Sequence, residues 1–113
     1  MHELAITQGI LEIAEREAAK HHSGRITRIK LQIGEFTGVV KEALEFSFEV
    51  VRQGTLAEYA QLEIEVVKLR KRCPSCEKVF ESKDQFDFFC PQCNAPAQII
   101  SGREMQIEYI ELD

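Results

Sequence analysis

The chain has 113 residues, 44% of them hydrophobic, with 14 lysines and arginines against 19 aspartates and glutamates and a formal charge of −5. That is the size of one ordinary domain, or of one small domain with an appendage. The acidic balance argues against nucleic acid as the main partner, because phosphate binding needs a net basic face, and no apolar run is long enough to span a membrane.

The first three residues, Met1-His2-Glu3, form a small chelator if the Met1 amine is free. The amine, the His2 amide nitrogen and the His2 imidazole can close fused rings on one metal. A planar set of nitrogens suits Ni(II) or Cu(II). Glu3 could add a carboxylate or its own amide nitrogen. The plainer reading is a start residue followed by a chance histidine, and three residues alone leave both open. Residues 1–20 also carry Glu3, Glu12, Glu15 and Glu17 without a continuous apolar stretch. No signal peptide is read there, and the expected compartment is the cytoplasm.

Residues 4–20 read as an amphipathic helix: Leu4, Ile6, Ile10, Leu11, Ile13, Ala14 and Ala18 recur at near-helical spacing. Ser23-Gly24 ends it, with Lys20, His21 and His22 as cations suited to the last turn. Residues 25–33 alternate, Thr27, Ile29, Leu31 and Ile33 on one face and Arg28, Lys30 and Gln32 on the other, as in a half-buried strand. Glu35, in Gly34-Glu35-Phe36-Thr37-Gly38, reads as a turn carboxylate. Residues 40–52 read as a second helix with Val40, Leu44, Phe48 and Val51 inward and Phe46 off the stripe. Residues 61–69 and 104–112 alternate as strands, although Ile110 and Leu112 break the second alternation and predict an end that is apolar on both faces.

Two strands do not make a stable sheet, so residues 104–112 must return to the first two. The expected fold is α+β: a three-stranded sheet with two helices on one face, plus an inserted zinc-ribbon-like four-cysteine domain. The division is residues 1–69 and 99–113 for the first domain and 70–98 for the insertion. Arg28, Lys30, Glu63 and Glu65 would line the open sheet face.

The insertion carries the most specific signal. Cys73-Pro74-Ser75-Cys76 is followed after thirteen residues by Cys90-Pro91-Gln92-Cys93. In a cytosolic chain such pairs point to a metal rather than to disulfides. Each two-residue turn can set both sulfurs about 2.3 Å from one ion, and two turns complete a tetrahedron. No histidine lies in the segment, so four thiolates are the expected ligands, with structural Zn²⁺ as the ion. Iron in such a site, an iron–sulfur cluster and a redox disulfide pair are the alternatives. Four thiolates and Zn²⁺ sum to −2, which Lys68, Arg70, Lys71, Arg72 and Lys78 could offset. Val79, Phe80, Phe86, Phe88 and Phe89 are too few for a core, and metal binding would supply roughly 10–16 kcal/mol of folding free energy. The same basic run would fit a nucleic-acid-binding ribbon, which the acidic total disfavours. No nucleophile–base pair, phosphate loop or nucleotide fingerprint is present, and nothing argues for an enzyme.

Met-His-Glu-Leu at the start, Ile-Gly-Glu from residue 33, Glu-Ala-Leu-x-Phe-x-Phe-Glu at 42–49 and Cys-Pro-x-Cys twice together resemble the HypA/HybF family over the whole chain. These are nickel-delivering maturation factors of [NiFe]-hydrogenases. The resemblance implies nickel at Met1 and His2, with Glu3 supporting that site or a partner contact. It implies zinc at Cys73, Cys76, Cys90 and Cys93. It further implies a HypB-type GTPase and the hydrogenase large-subunit precursor as partners, and urease as a second client in some bacteria. A monomer or weak homodimer is expected. Some members have histidines beside the cysteine pairs; Glu77 and Asn94 stand there in this chain, which disfavours a histidine-for-cysteine ligand switch. The competing reading is a zinc-ribbon protein–protein adaptor with no nickel role.

Overall fold

A computed structural model describes residues 3–81 and 88–113. In chain order the elements are α1 (Glu3–Lys20), β1 (Ile26–Gly34), a short 3-10 turn (Glu35–Thr37), α2 (Lys41–Val51), β2 (Gln61–Val67), β3 (Arg70–Arg72), β4 (Val79–Glu81), β5 (Gln98–Ser101) and β6 (Met105–Leu112).

Thr7, Ile10, Leu11, Ala14 and Ala18 are the buried side of α1, at steps of three and four that return to one helix face. Leu4 and Ile13, placed on the stripe by periodicity, are about half exposed. Thr7 points inward instead, and its hydroxyl donates to the Leu4 carbonyl at 2.9 Å, so its polar atom is satisfied. The helix ends with His22 in the left-handed region (φ 53°) and the Ser23 N–H donating to the Ala18 carbonyl at 2.8 Å, a common stop signal for a helix.

The first sheet has the order β2-β1-β6. β1 and β2 are parallel, a pairing that needs a crossover, and α2 supplies it. β6 returns antiparallel on the other side of β1. Both helices pack on one face of this sheet. Leu44 and Phe48 of α2 join Ile10, Leu11 and Ala14 of α1 over Ile29, Leu31 and Ile33, and each large side chain buried there contributes about 1.5–3 kcal/mol. Phe46 is exposed, as its position off the stripe implies.

Two bulges correct the strand readings. Ile26 pairs with Leu112 and Arg28 with Glu111, so Thr27 is an extra residue in β1. Ile26 is therefore the buried residue, while the Thr27 hydroxyl donates to the Glu111 carbonyl at 3.1 Å. In β6, Lys30 pairs with Tyr109 and Leu31 with Ile107, leaving Glu108 as the extra residue. A bulge shifts the two-residue phase of a strand. Ile107 before it and Ile110 and Leu112 after it consequently all pack on the core. The strand end is thus not apolar on both faces: Tyr109 sits on the open face, its ring 5.9 Å from the Lys30 ammonium and its hydroxyl donating to Glu63 at 3.4 Å.

That open face is the expected charged surface. Arg28 lies 3.6 Å from both Glu63 and Glu111, and Lys30 lies 3.6–3.9 Å from Glu63, Glu65 and Glu108. Burial works against the Lys30 charge, but Glu63 and Glu108 outweigh it and hold the ammonium above the usual lysine range. Cross-strand pairs of this kind favour one register over its neighbours.

The second sheet has the order β4-β3-β5, both pairs antiparallel. Its strands are too short for periodicity to reveal. The two sheets meet where the chain leaves β2 and returns to β6. There the Phe36 N–H donates to the Gly102 carbonyl at 2.8 Å and the Gly34 N–H to the Glu104 carbonyl at 2.7 Å. A side chain on Gly34 would run into the Gly102 peptide, and Gly102 itself has φ 109°, a conformation open to glycine. Glu35, read above as a turn carboxylate, reaches across this junction and accepts the Leu69 N–H at 2.5 Å. Replacing Glu35 with alanine strands that partly buried N–H, and Glu35→Ala is expected to lose about 1–3 kcal/mol in urea unfolding, with faster hydrogen exchange at Leu69. An unchanged midpoint and unchanged exchange would show that the bridge carries no stability.

Candidate metal centre

Two local loops build the centre, and they are alike in every backbone bond. In the first, the Cys73 N–H donates to the Lys78 carbonyl at 2.9 Å and the Glu77 N–H to the Cys73 carbonyl at 2.8 Å. In the second, the Cys90 N–H donates to Ala95 at 2.8 Å and the Asn94 N–H to Cys90 at 2.9 Å. Each loop turns through a left-handed residue directly after its second cysteine, Glu77 (φ 62°) and Asn94 (φ 58°). Asparagine tolerates that region better than most residues; glutamate does not share the advantage. The Glu77 carboxylate is held by Arg72 at 3.2 Å.

The loops face one another. Cys73 and Cys93 have sulfurs 3.2 Å apart, Cys76 and Cys90 3.7 Å, and all four sulfurs lie within 4.8 Å of each other. Sulfurs about 2.3 Å from a shared ion at tetrahedral angles would be roughly 3.8 Å apart, so the cluster is of the right size to close on one. Cys73 and Cys90 are buried, Cys76 and Cys93 exposed.

Electrostatics points the same way. The Cys76 N–H, aimed at the Cys73 sulfur, holds that thiol at about 6 despite burial. The N–H groups of Cys93 and Gln92 lower Cys90 likewise, the latter 3.4 Å from its sulfur. At Cys93 the Ala95 N–H favours the thiolate, but contact with the Cys73 sulfur and burial outweigh it and push the thiol up to about 12. Two sulfurs are prepared to ionise and a third cannot join them unaided. A cation among the four removes that conflict.

The basic run expected to offset thiolate charge is used differently along its length. Lys68 and Arg70 pair with Glu81 at 3.6 and 3.3 Å. Lys71 is fully buried, its ammonium 4.9 Å from the centre of the Phe88 ring. Of the apolar residues expected to form a small core, Phe80 is half buried while Val79, Phe88 and Phe89 are substantially exposed. Phe86 lies outside the described residues.

Met1 and His2 also lie outside the described residues. Glu3 opens α1, and its Oε2 accepts the N–H of Val40, the residue that caps α2, at 3.5 Å. Leu4, Gln8, Ala43 and Phe46 line a shallow groove beside it. His21 and His22 end α1 and are exposed, with the His21 imidazole 4.0 Å from Glu17. Among the described residues, the four cysteines are the one cluster of three or more metal-ligating side chains, and no helix is long and apolar enough to cross a membrane.

A family model described as "Hydrogenase/urease nickel incorporation, metallochaperone, hypA" matches residues 1–112. A protein named hydrogenase maturation factor HypA from Roseiflexus is 42% identical over 114 aligned residues, covering all of this chain and 93% of that protein. Its namesake from Geobacter sulfurreducens is also 42% identical over 114 residues, with both chains fully covered. The solution structure of the Ni metallochaperone HypA from Helicobacter pylori is similar with a TM-score of 0.69 at 27% identity, covering 99% of this chain and 97% of that one. A second solution structure, of a HypA protein, gives 0.73 at 27% identity over 100% and 97%.

Treating the protein with a strong chelator at neutral pH is expected to release one metal per chain. Amides of residues 70–81 and 88–101 should then lose hydrogen-exchange protection while those of β1 and β6 keep theirs. Full protection after the metal has left would show that the cysteines hold no part of the fold together.

Proposed function

The chain belongs to the HypA family of nickel-incorporating metallochaperones in hydrogenase maturation, and on that premise we propose that it takes Ni(II) at its first residues and hands it on during assembly of a [NiFe]-hydrogenase. The observation that carries this reading is the family match over residues 1–112, which takes in both Met1-His2-Glu3 and the four cysteines. The donor set supports it. The Met1 amine and the amide and imidazole nitrogens of His2 suit a planar Ni(II) site, and binding releases the His2 amide proton. The positive end of α1 lies against a cation there, which favours modest affinity and release to an acceptor. Glu3, already engaged with the Val40 N–H, steadies the start of α1 and brings a carboxylate near the cargo.

The four cysteines are assigned to zinc. Cys73, Cys76, Cys90 and Cys93 would hold it as a closed four-sulfur site, where it contributes to folding rather than to chemistry. The proposed division of labour follows the two sheets: residues 1–69 and 99–113 handle nickel and residues 70–98 hold zinc, with β5 at the border because it pairs with β3. A HypB-type GTPase and the large-subunit precursor are the proposed partners, with urease as a second client. The protein is read as non-enzymatic, cytoplasmic, and a monomer or weak homodimer.

Equilibrium dialysis of untagged protein against Ni(II), with metals counted per chain, tests this reading. One zinc and one nickel are expected. His2→Ala, or extra residues ahead of Met1 that turn the amine into an amide, should abolish stoichiometric nickel while zinc stays at one. Zinc without nickel in the unaltered protein would leave an adaptor role, and nickel retained by His2→Ala would overturn the site.

A further inference from the structure

Among the described residues β6 is an edge strand: β1 pairs along one side of it, and the strand order ends there. Beside that edge, under α1, lies an apolar hollow of about 270 Å³ lined by Ile6, Gly9, Ile13, Met105 and Ile107. Ile13 and Met105 are 44% and 48% exposed, so the hollow opens to solvent. Gly9 is the more telling residue. A glycine in a helix interior costs about 1 kcal/mol relative to alanine, and a Cβ at Gly9 would meet nothing within 4 Å. No packing among the described residues requires its small size. What its smallness provides is depth in the hollow.

We infer that this edge and hollow receive an extended segment of a partner protein, added to β6 as a further strand, with alternate apolar and basic side chains. Main-chain pairing to a free edge supplies affinity in such complexes, and alternate side chains supply specificity. Here the two faces differ in chemistry. Side chains turned toward α1 would enter the hollow between Gly9 and Met105. Those turned the other way would meet the open face, where Glu108 and Glu111 are exposed at the rim. Lys30 and Arg28 stand on their inner sides, leaving the outer sides to a newcomer's lysines or arginines. A second copy of the chain fits poorly. Pairing β6 with β6 would set the carboxylates of one copy against those of the other, and like charges facing across strands are unfavourable. At the other edge, β2, the cleft mixes Phe48, Tyr59 and Leu62 with Arg28, Glu49 and Arg52, so it offers no purely apolar hollow.

The test uses the full metal-loaded chain and a labelled peptide alternating valine and lysine along the length of β6. Controls are a peptide of the same composition with valines and lysines in separate blocks and one alternating valine and glutamate. Fluorescence anisotropy should show binding of the first peptide only, weakening with salt. Amide shifts should fall on β6 and the Gly9 side of α1. Gly9→Leu, which fills the hollow, should weaken binding about tenfold or more while the fold and both metal contents are retained. Glu108→Lys should weaken it through charge alone, which guards against a Gly9→Leu chain that fails to fold. Equal binding of the blocked peptide, shifts on β2 and α2, or wild-type affinity in both variants would each overturn the proposal. So would concentration-dependent dimerisation through β6, seen by sedimentation and abolished by Gly9→Leu.

Discussion

Around the bond from the Phe36 N–H to the Gly102 carbonyl, two crossings of the chain lie too close for a side chain to separate them. Most of the architecture depends on that contact. The first sheet is complete only when β6 lies beside β1, yet the chain reaches β6 only after the whole cysteine segment. The entry to that segment at Leu69 and its exit at Gly102 must therefore come together. Glu35 ties the entry, Gly34 admits the exit, and the Ser101 hydroxyl donates to the Lys68 carbonyl across the neck at 2.8 Å. Close backbone approach of this kind needs glycine on both sides, and one carboxylate satisfies the N–H that the crossing leaves over.

Long periodic elements were legible in the sequence because one face of each is buried in a single core. The register of Ile29, Leu31 and Ile33 and the stripe of Leu44 and Phe48 follow from that burial. What was not legible arises where a local rule gives way to pairing. The bulges at Thr27 and Glu108 reset the alternation, so Ile26 rather than Thr27 is buried and Ile110 and Leu112 face inward. β3 reads as a basic run, yet its Lys71 is buried with the ammonium near the Phe88 ring. Glu35 looks like any turn carboxylate until Leu69, 34 residues away, is placed beside it. The cysteine spacing, by contrast, announces the cluster directly, since each loop closes within six residues.

The two proposed metal sites differ in ways that match retention and transfer. One is made of sulfurs on two loops, half of them buried, with backbone N–H groups already directed at them. A site prepared in this manner releases its ion reluctantly. The other, as proposed, would use nitrogens just ahead of α1, a helix whose dipole opposes a cation.

The neck between Leu69 and Gly102 also bears on how the chain folds. Pairing Ile33 with Met105 closes a loop of about seventy residues, whereas Arg72 and Val79 pair across about seven; by the logarithmic cost of loop closure the difference is roughly 2 kcal/mol. The cysteine loops are the local part of the molecule and the α/β sheet the distant part. Once the second sheet is formed, its two ends emerge side by side, and the loop that β6 must close is cut to about half. An ion held by the cysteines would then act on the far sheet without touching it, raising its rate of assembly more than its final stability.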